Sequence, residues 1–228
     1  MWNLPPPPAF QGLLPDAPLT VYMRHLPHWR QEGATYFVTF RLADSLPQAK
    51  LDELANLKRD WERQHPLPRS HDILRLLARQ ATERIERWLD QGMGACVLKD
   101  NSLAAIVAAA MHHFDADRYE LDCFVIMPNH VHALLRPLDS EYALEDIVGS
   151  WKKFSARLVN RALGRDGELW QEEIYDRIIR DEEHLWRTIQ YVANNPDRAG
   201  LARASCLLWI RPQWVERGWN FEPPRLIS

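Results

Sequence analysis

The chain has 228 residues, 46% apolar and 26% charged, which excludes a disordered or fibrous polypeptide and is enough to bury a full core. A formal net charge of −3 excludes a globally basic nucleic-acid binder, so such a partner would have to be met by positive charge gathered on one face. Cys96, Cys123 and Cys206 form no Cys-x-x-Cys pair, which points to a reducing compartment and away from a zinc ribbon. The first residues show no basic stretch followed by an apolar one, and no run reaches the roughly 18 apolar residues of a membrane span. A cytoplasmic protein without a membrane partner is expected.

Residues 1–30 carry Pro5 to Pro8, Pro15, Pro18 and Pro27, so an irregular surface arm is expected there. Residues 35–42, TYFVTFRL, are rich in β-branched and aromatic side chains and read as the first strand, with Phe37 and Thr39 facing one way and Tyr36, Val38 and Phe40 the other. From Pro47 the period turns helical through Leu51, Leu54, Leu57 and Trp61, until Pro66 and Pro68 stop it. Ser70 can cap a second helix through Ile73, Leu76, Leu77, Ala81, Ile85 and Trp88 to Gly92. A short strand is expected over 95–98, then an alanine-rich helix capped by Asp100 or Asn101 and ending near His113. His112 and His113 at that helix end suit its dipole and are given a structural role.

Residues 118–126 alternate into a strand, Pro128 and Asn129 make a turn, and residues 130–136 form the neighbouring strand. Along it His130 and His132 are i and i+2, so both imidazoles face one side, with Cα atoms about 6.5 to 7 Å apart. Two imidazoles can converge on one cation but leave it short of ligands, and a His-x-His on a strand also arises by chance. Imidazoles near their usual pKa of about 6.5 would lose ligation below about pH 6. Residues 144–163 form an amphipathic helix with Ile147, Trp151, Phe154 and Leu158 on its apolar stripe. Its other face carries Lys153, Arg157, Arg161 and Arg165 at four-residue spacing, with Lys152 beside them. Such a row is either a solvated face or the track of a phosphate backbone.

Residues 169–171 and 174–180 look extended. The acids at 181–183 open a last helix that carries Leu185, Ile189 and Val192 and is expected to end before Pro196. Tyr191 and Asn195 are i and i+4 on it, so a phenol and an amide oxygen can address one point. If the histidines hold a cation, Asn195 can be its third ligand, with Tyr191 beside it as a nucleophile for phosphoryl transfer. Taken singly, a tyrosine near a helix end is far more often packing than nucleophile. Ten tryptophans read as core and rim.

Taken jointly, Met127-Pro128-Asn129-His130-Val131-His132, Trp151-Lys152-Lys153-Phe154, Trp170-Gln171 and the stretch from Tyr191 through Asn195-Pro196 and Arg198 to Gly200-Leu201 resemble the single-tyrosine HUH transposases, IS200-like, with the REP-associated tyrosine transposases as the nearest branch. The resemblance covers about residues 24–201. It implies an α+β, ferredoxin-like or RRM-like antiparallel sheet with helices on one face, here with an inserted helical pair. It implies a divalent cation, Mg2+ or Mn2+, on His130, His132 and Asn195, with Tyr191 as nucleophile; imidazoles suit manganese better than hard magnesium. It further implies nicking and rejoining of single-stranded or hairpin DNA at hairpin-forming repeats through a 5′-phosphotyrosine. The row of Lys152, Lys153, Arg157, Arg161 and Arg165 is expected on the DNA, and the protein is expected to be a monomer or homodimer.

The expected organisation is an arm over 1–30, one transposase-like domain over 31–205 with the helical insertion at 43–94, and a Trp-rich tail over 206–228. Neither the insertion nor the tail with Trp209, Trp214 and Trp219 has a role that the resemblance supplies. Two other classes remain open: a non-catalytic protein that only holds hairpin DNA, and a metal-dependent hydrolase of a small molecule. Intact His130, His132, Tyr191 and Asn195 speak against the first, and a basic helix left idle against the second. Tyr175, just before the last helix, is the rival nucleophile.

Overall fold

The computed structural model describes residues 5–221. Its elements in chain order are β1 (Thr20–Met23), β2 (Pro27–Arg30), β3 (Tyr36–Arg41), α1 (Gln48–Gln64), α2 (His71–Leu89), α3 (Asn101–His112), β4 (Tyr119–Ile126), β5 (His130–Pro137), α4 (Leu144–Ala162), β6 (Tyr175–Ile178), α5 (Glu182–Arg198), β7 (Leu207–Ile210) and α6 (Pro212–Glu216). The main sheet runs β6-β3-β5-β4-β7 and every pairing is antiparallel. Without β7 the strand sequence and order are those of a split β-α-β-β-α-β unit, in which two helical crossovers return to one sheet face. The first crossover carries the α1–α2 hairpin ahead of α3.

Strand alternation decides the two cores. Tyr36, Val38 and Phe40 of β3 and Val131, Ala133 and Leu135 of β5 meet Val107 and Met111 of α3 and Ile147, Val148 and Trp151 of α4. Two buried indoles there are satisfied, Trp151 donating to the Tyr119 hydroxyl at 2.7 Å and Trp170 to Ser155 at 3.0 Å. On the opposite face Phe37, Val125 and Leu134 meet Leu185, Ile189 and Val192 of α5, together with Trp214 and Trp219. The expected helices on one face are thus α3 and α4, while α5 covers the second face. Amphipathicity shows that a helix must cover something, and only the path of the chain decides which side. The α1–α2 hairpin closes a third core, where Trp61, Leu77, Ile85 and Leu89 meet Leu26 and Tyr175.

Four local expectations are corrected. The N-terminal arm contains a two-stranded ribbon, β1 with β2, whose Pro27 sits at a strand end where a missing donor does little harm. Residues 95–98 are not a strand: Cys96 takes a left-handed φ of 50° and a 3-10 turn follows over Val97–Lys99, with Leu98 N donating to the Pro128 carbonyl at 3.1 Å. The last helix continues past Pro196 to Arg198, because the proline forfeits one bond while the Asn195 carbonyl still accepts from Ala199 at 3.1 Å and the Pro196 carbonyl from Leu201 at 2.8 Å. The tail adds β7 to the edge of β4, and its Trp214 and Trp219 are almost wholly buried. No helix among the described residues is long and apolar enough to cross a membrane.

Candidate active site

β5 begins at His130, directly after the turn at Pro128 and Asn129, and its alternation turns His130, His132 and Leu134 toward α5. Both imidazoles are 1% exposed, and their Nε2 atoms stand 3.1 Å apart. Asn129 donates its amide to the carbonyls of Leu89 at 3.3 Å and Met93 at 3.2 Å, which leaves Oδ1 to face His130 Nδ1 at 2.7 Å. An amide oxygen only accepts, so His130 carries its proton on Nδ1 and presents a bare Nε2. His132 Nδ1 lies 2.7 Å from the Thr39 hydroxyl, which can accept in the same way. Asn129 thus fixes the His130 tautomer, and in the His132 tautomer that donates to Thr39 two lone pairs converge on one point, an arrangement that favours a cation between them.

Burial lowers the His130 pKa to about 3, against a smaller opposing effect of Asn195. Burial also takes His132 well below the ordinary 6.5, with His130, Arg177 and Arg198 adding to it. Both rings are neutral at physiological pH. The expected loss of ligation below about pH 6 therefore moves to much lower pH, because desolvation already disfavours the imidazolium.

α5 supplies the other two residues. Asp181 caps it by accepting from His184 N at 2.7 Å, and its stripe of Leu185, Ile189 and Val192 fixes the helix rotation so that Tyr191 and Asn195 face the histidines. Asn195 is 1% exposed; its amide donates to the Tyr191 carbonyl at 3.4 Å, and Oδ1 is left without a partner. The Tyr191 ring stands edge-on to His132 with centroids 5.3 Å apart and to Phe37 at 5.7 Å, while the Arg198 guanidinium lies 4.7 Å over it. Its hydroxyl is buried beside the Glu86 carboxylate of α2, yet neither that hydroxyl nor Glu86 Oε1 completes a hydrogen bond. Burial first, and then the Glu86 charge, push the phenol pKa up, so Tyr191 is protonated at neutral pH.

Two imidazole lone pairs and the orphaned Asn195 oxygen form a donor set that fits a divalent cation of manganese type, and magnesium less well. Among the described residues no cluster of three or more His, Cys, Asp or Glu is arranged to hold one, so the amide would be an essential ligand.

The structure brings His130, His132, Tyr191 and Asn195 together and leaves the basic row apart. α4 packs on the other face of the sheet, where Lys153, Arg157, Arg161 and Arg165 are exposed and Lys152 donates to the Glu172 carbonyl at 2.7 Å. Tyr175 is buried under the α1–α2 hairpin with its hydroxyl toward Arg41. Sequence reasoning missed Thr39, Asn129, Glu86, Arg177 and Arg198 as neighbours of the site. Alternation alone put Thr39 on the correct face, and a glutamate bordering the apolar stripe of α2 was a signal for Glu86. The other three depend on register and packing.

Residues 97–195 match the family model described as IS200-like transposase, a span that contains all four site residues. The resemblance drawn from the motifs is borne out over that segment. An uncharacterized protein of Haemophilus influenzae is 27% identical over 96 residues, a match covering 33% of this chain and 53% of that one, so the chain spans about half the length of that relative. Among solved structures, a REP-associated tyrosine transposase bound to a REP hairpin aligns with a TM-score of 0.39 and 15% identity, over 80% of this chain and 75% of the other. A transposase candidate from Deinococcus radiodurans R1 aligns with a TM-score of 0.28 and 18% identity, over 71% and 89%.

Proposed function

We propose, on the premise that residues 97–195 are those of an IS200-like transposase, that this protein nicks and rejoins single-stranded DNA through a covalent bond between Tyr191 and a 5′-phosphate. The observation that carries the reading is the convergence of His130 Nε2, His132 Nε2 and Asn195 Oδ1 beside the Tyr191 ring. A divalent cation, Mg2+ or Mn2+, on those three atoms would supply charge neutralisation at a phosphodiester oxygen.

The remaining chemistry belongs to the chain. The Tyr191 oxygen attacks phosphorus, the bond to the 3′ oxygen breaks, and that oxygen leaves as a 3′-hydroxyl after taking a proton from water. The phenol proton goes to the Glu86 carboxylate, which lies beside it and is itself held above the ordinary carboxylate range by burial. Reversal with another 3′-hydroxyl reseals the strand and returns the proton. Asn129 holds the His130 tautomer, and Thr39 accepts from His132 Nδ1 when His132 Nε2 faces a cation.

The C-terminal end of α2 borders the site: the Leu89 carbonyl accepts from Asn129, Glu86 lies beside Tyr191, and Asp90 pairs with Arg198 at 3.6 Å. His130, His132 and Asn195 are each 1% exposed, so entry of a strand requires a neighbouring segment to shift. On the far face of the sheet, Lys153, Arg157 and Arg161 make no ion pair among the described residues, and we assign them, with Lys152 and Arg165, to the phosphates of a hairpin stem. Hairpin-forming repeats are the target class that this division suits.

The test is incubation with labelled hairpin-bearing single strands and Mn2+, then digestion and mass spectrometry of any adduct. Tyr191→Phe keeps the ring and its packing but removes the attacking oxygen, so it should fold and bind DNA yet form no adduct. An adduct on Tyr175, or cleavage that persists in Tyr191→Phe, would overturn the assignment. Binding by the wild type without any cleavage would leave a hairpin-binding protein only.

A further inference from the structure

Arg41 ends β3 and is the cross-strand partner of His130, so the two side chains leave the same face of the sheet. It is 1% exposed. One Nη donates to Ser45 Oγ at 3.1 Å, the guanidinium lies by the Tyr175 hydroxyl, and Nε has no partner. These neighbours are neutral. Glu173, the buried acid nearby, is engaged instead by His28 at 3.1 Å. A buried guanidinium with no carboxylate in ion-pair contact is unfavourable, and an anion that arrives from outside relieves it.

Arg41 lines a cavity of about 500 Å3 between the sheet and the α1–α2 hairpin. Leu51, Leu54 and Leu77 form its apolar wall, and Lys58 and Arg59 of α1 add positive charge, with the acids Asp52, Glu62 and Glu173 also at its lining. A buried, forked cation beside an apolar wall matches a phosphodiester with its sugar and base. We infer that this cavity is a binding subsite for the DNA strand, in which Arg41 takes a phosphate neighbouring the one at the His130–His132 pair. The inserted hairpin then has a function, as the outer wall of the strand's path. This inference rests on the reading of the protein as a single-strand nicking enzyme.

The test is a double-mutant cycle on the full chain, with hairpin-bearing single strands that each carry one neutral methylphosphonate linkage. Wild type should lose affinity when the linkage next to the cleaved one is neutral, and Arg41→Met should show no further loss there. Arg41→Met should also lower the slope of log affinity against log salt by about 0.7, the value of one single-strand phosphate contact, while melting no lower than wild type. Arg41→Lys, which keeps the charge and loses the fork, should restore the salt slope but only part of the affinity. If Arg41→Met does not fold, the same cycle on Arg41→Lys decides, with reduced coupling expected at that linkage.

An undiminished methylphosphonate effect at every linkage in the Arg41 variant would overturn the subsite. Adduct formation by wild type on the unmodified strand, read in parallel, separates the two claims. Coupling without any adduct removes the nicking reaction and leaves the subsite, whereas an adduct without coupling removes only the subsite.

Discussion

Asn129 joins the turn before β5 to the end of the inserted hairpin, and its replacement tests that junction directly. Its amide donates to the Leu89 and Met93 carbonyls at 3.3 and 3.2 Å, and its oxygen faces His130 Nδ1 at 2.7 Å, with the residue 1% exposed. Alanine removes all three contacts and introduces no new group. At about 1 kcal/mol net for each bond the loss is about 3 kcal/mol, and buried carbonyls left unpaired raise it further. For a chain of this size that corresponds to a fall in Tm of roughly 6 to 12 °C.

Aspartate is the sharper probe. It is nearly isosteric and can still accept from His130, yet it turns a carboxylate oxygen toward two carbonyls that have lost their donor, so Asn129→Asp should be at least as destabilising as Asn129→Ala. Urea unfolding of the three proteins gives the order. A wild-type-like midpoint for Asn129→Asp would refute the amide orientation, and with it the His130 tautomer argued from it.

Further tests address separate regions. His28 lies 2.5 Å from Asp176 and 3.1 Å from Glu173; burial opposes its charge, but these two bonds outweigh it and raise its pKa above 6.5. A raised folded pKa means that the stabilisation is present in full below about 6.5 and is lost as pH climbs through the folded value, so stability should decline with rising pH and His28→Gln should flatten the decline, measured by urea midpoints across that range. Replacing Lys153, Arg157 and Arg161 together by alanine should leave Tm within about 1 °C, since the row is exposed, and lower the salt slope of hairpin binding by up to about 0.9 per contact with a duplex stem; an unchanged slope would make the row an ordinary solvated face. Trp214 is 1% exposed in the core under α5, so Trp214→Ala should cost about 3 to 5 kcal/mol, and a negligible loss in chemical denaturation would show that the tail does not support α5.

Much of this molecule is written in local pattern. The alternation of residues 35–42 and 118–136 and the period of the α2, α4 and α5 stripes give each element its type, because burying one face of a strand or helix requires period two or period 3.6 whatever lies opposite. The same periods put His130 with His132, and Tyr191 with Asn195, on common faces. Where those faces meet was not local information. That α5 lies over the histidines while α4 lies behind them, that α2 brings Glu86 beside Tyr191, and that β7 extends the sheet at β4 are decided by contacts between segments far apart in the chain. Such contacts are selected by shape and volume, which one-dimensional hydrophobic pattern does not encode. The pKa of His130 makes the same point: the residue type sets a value near 6.5, and only burial by the folded chain lowers it to about 3.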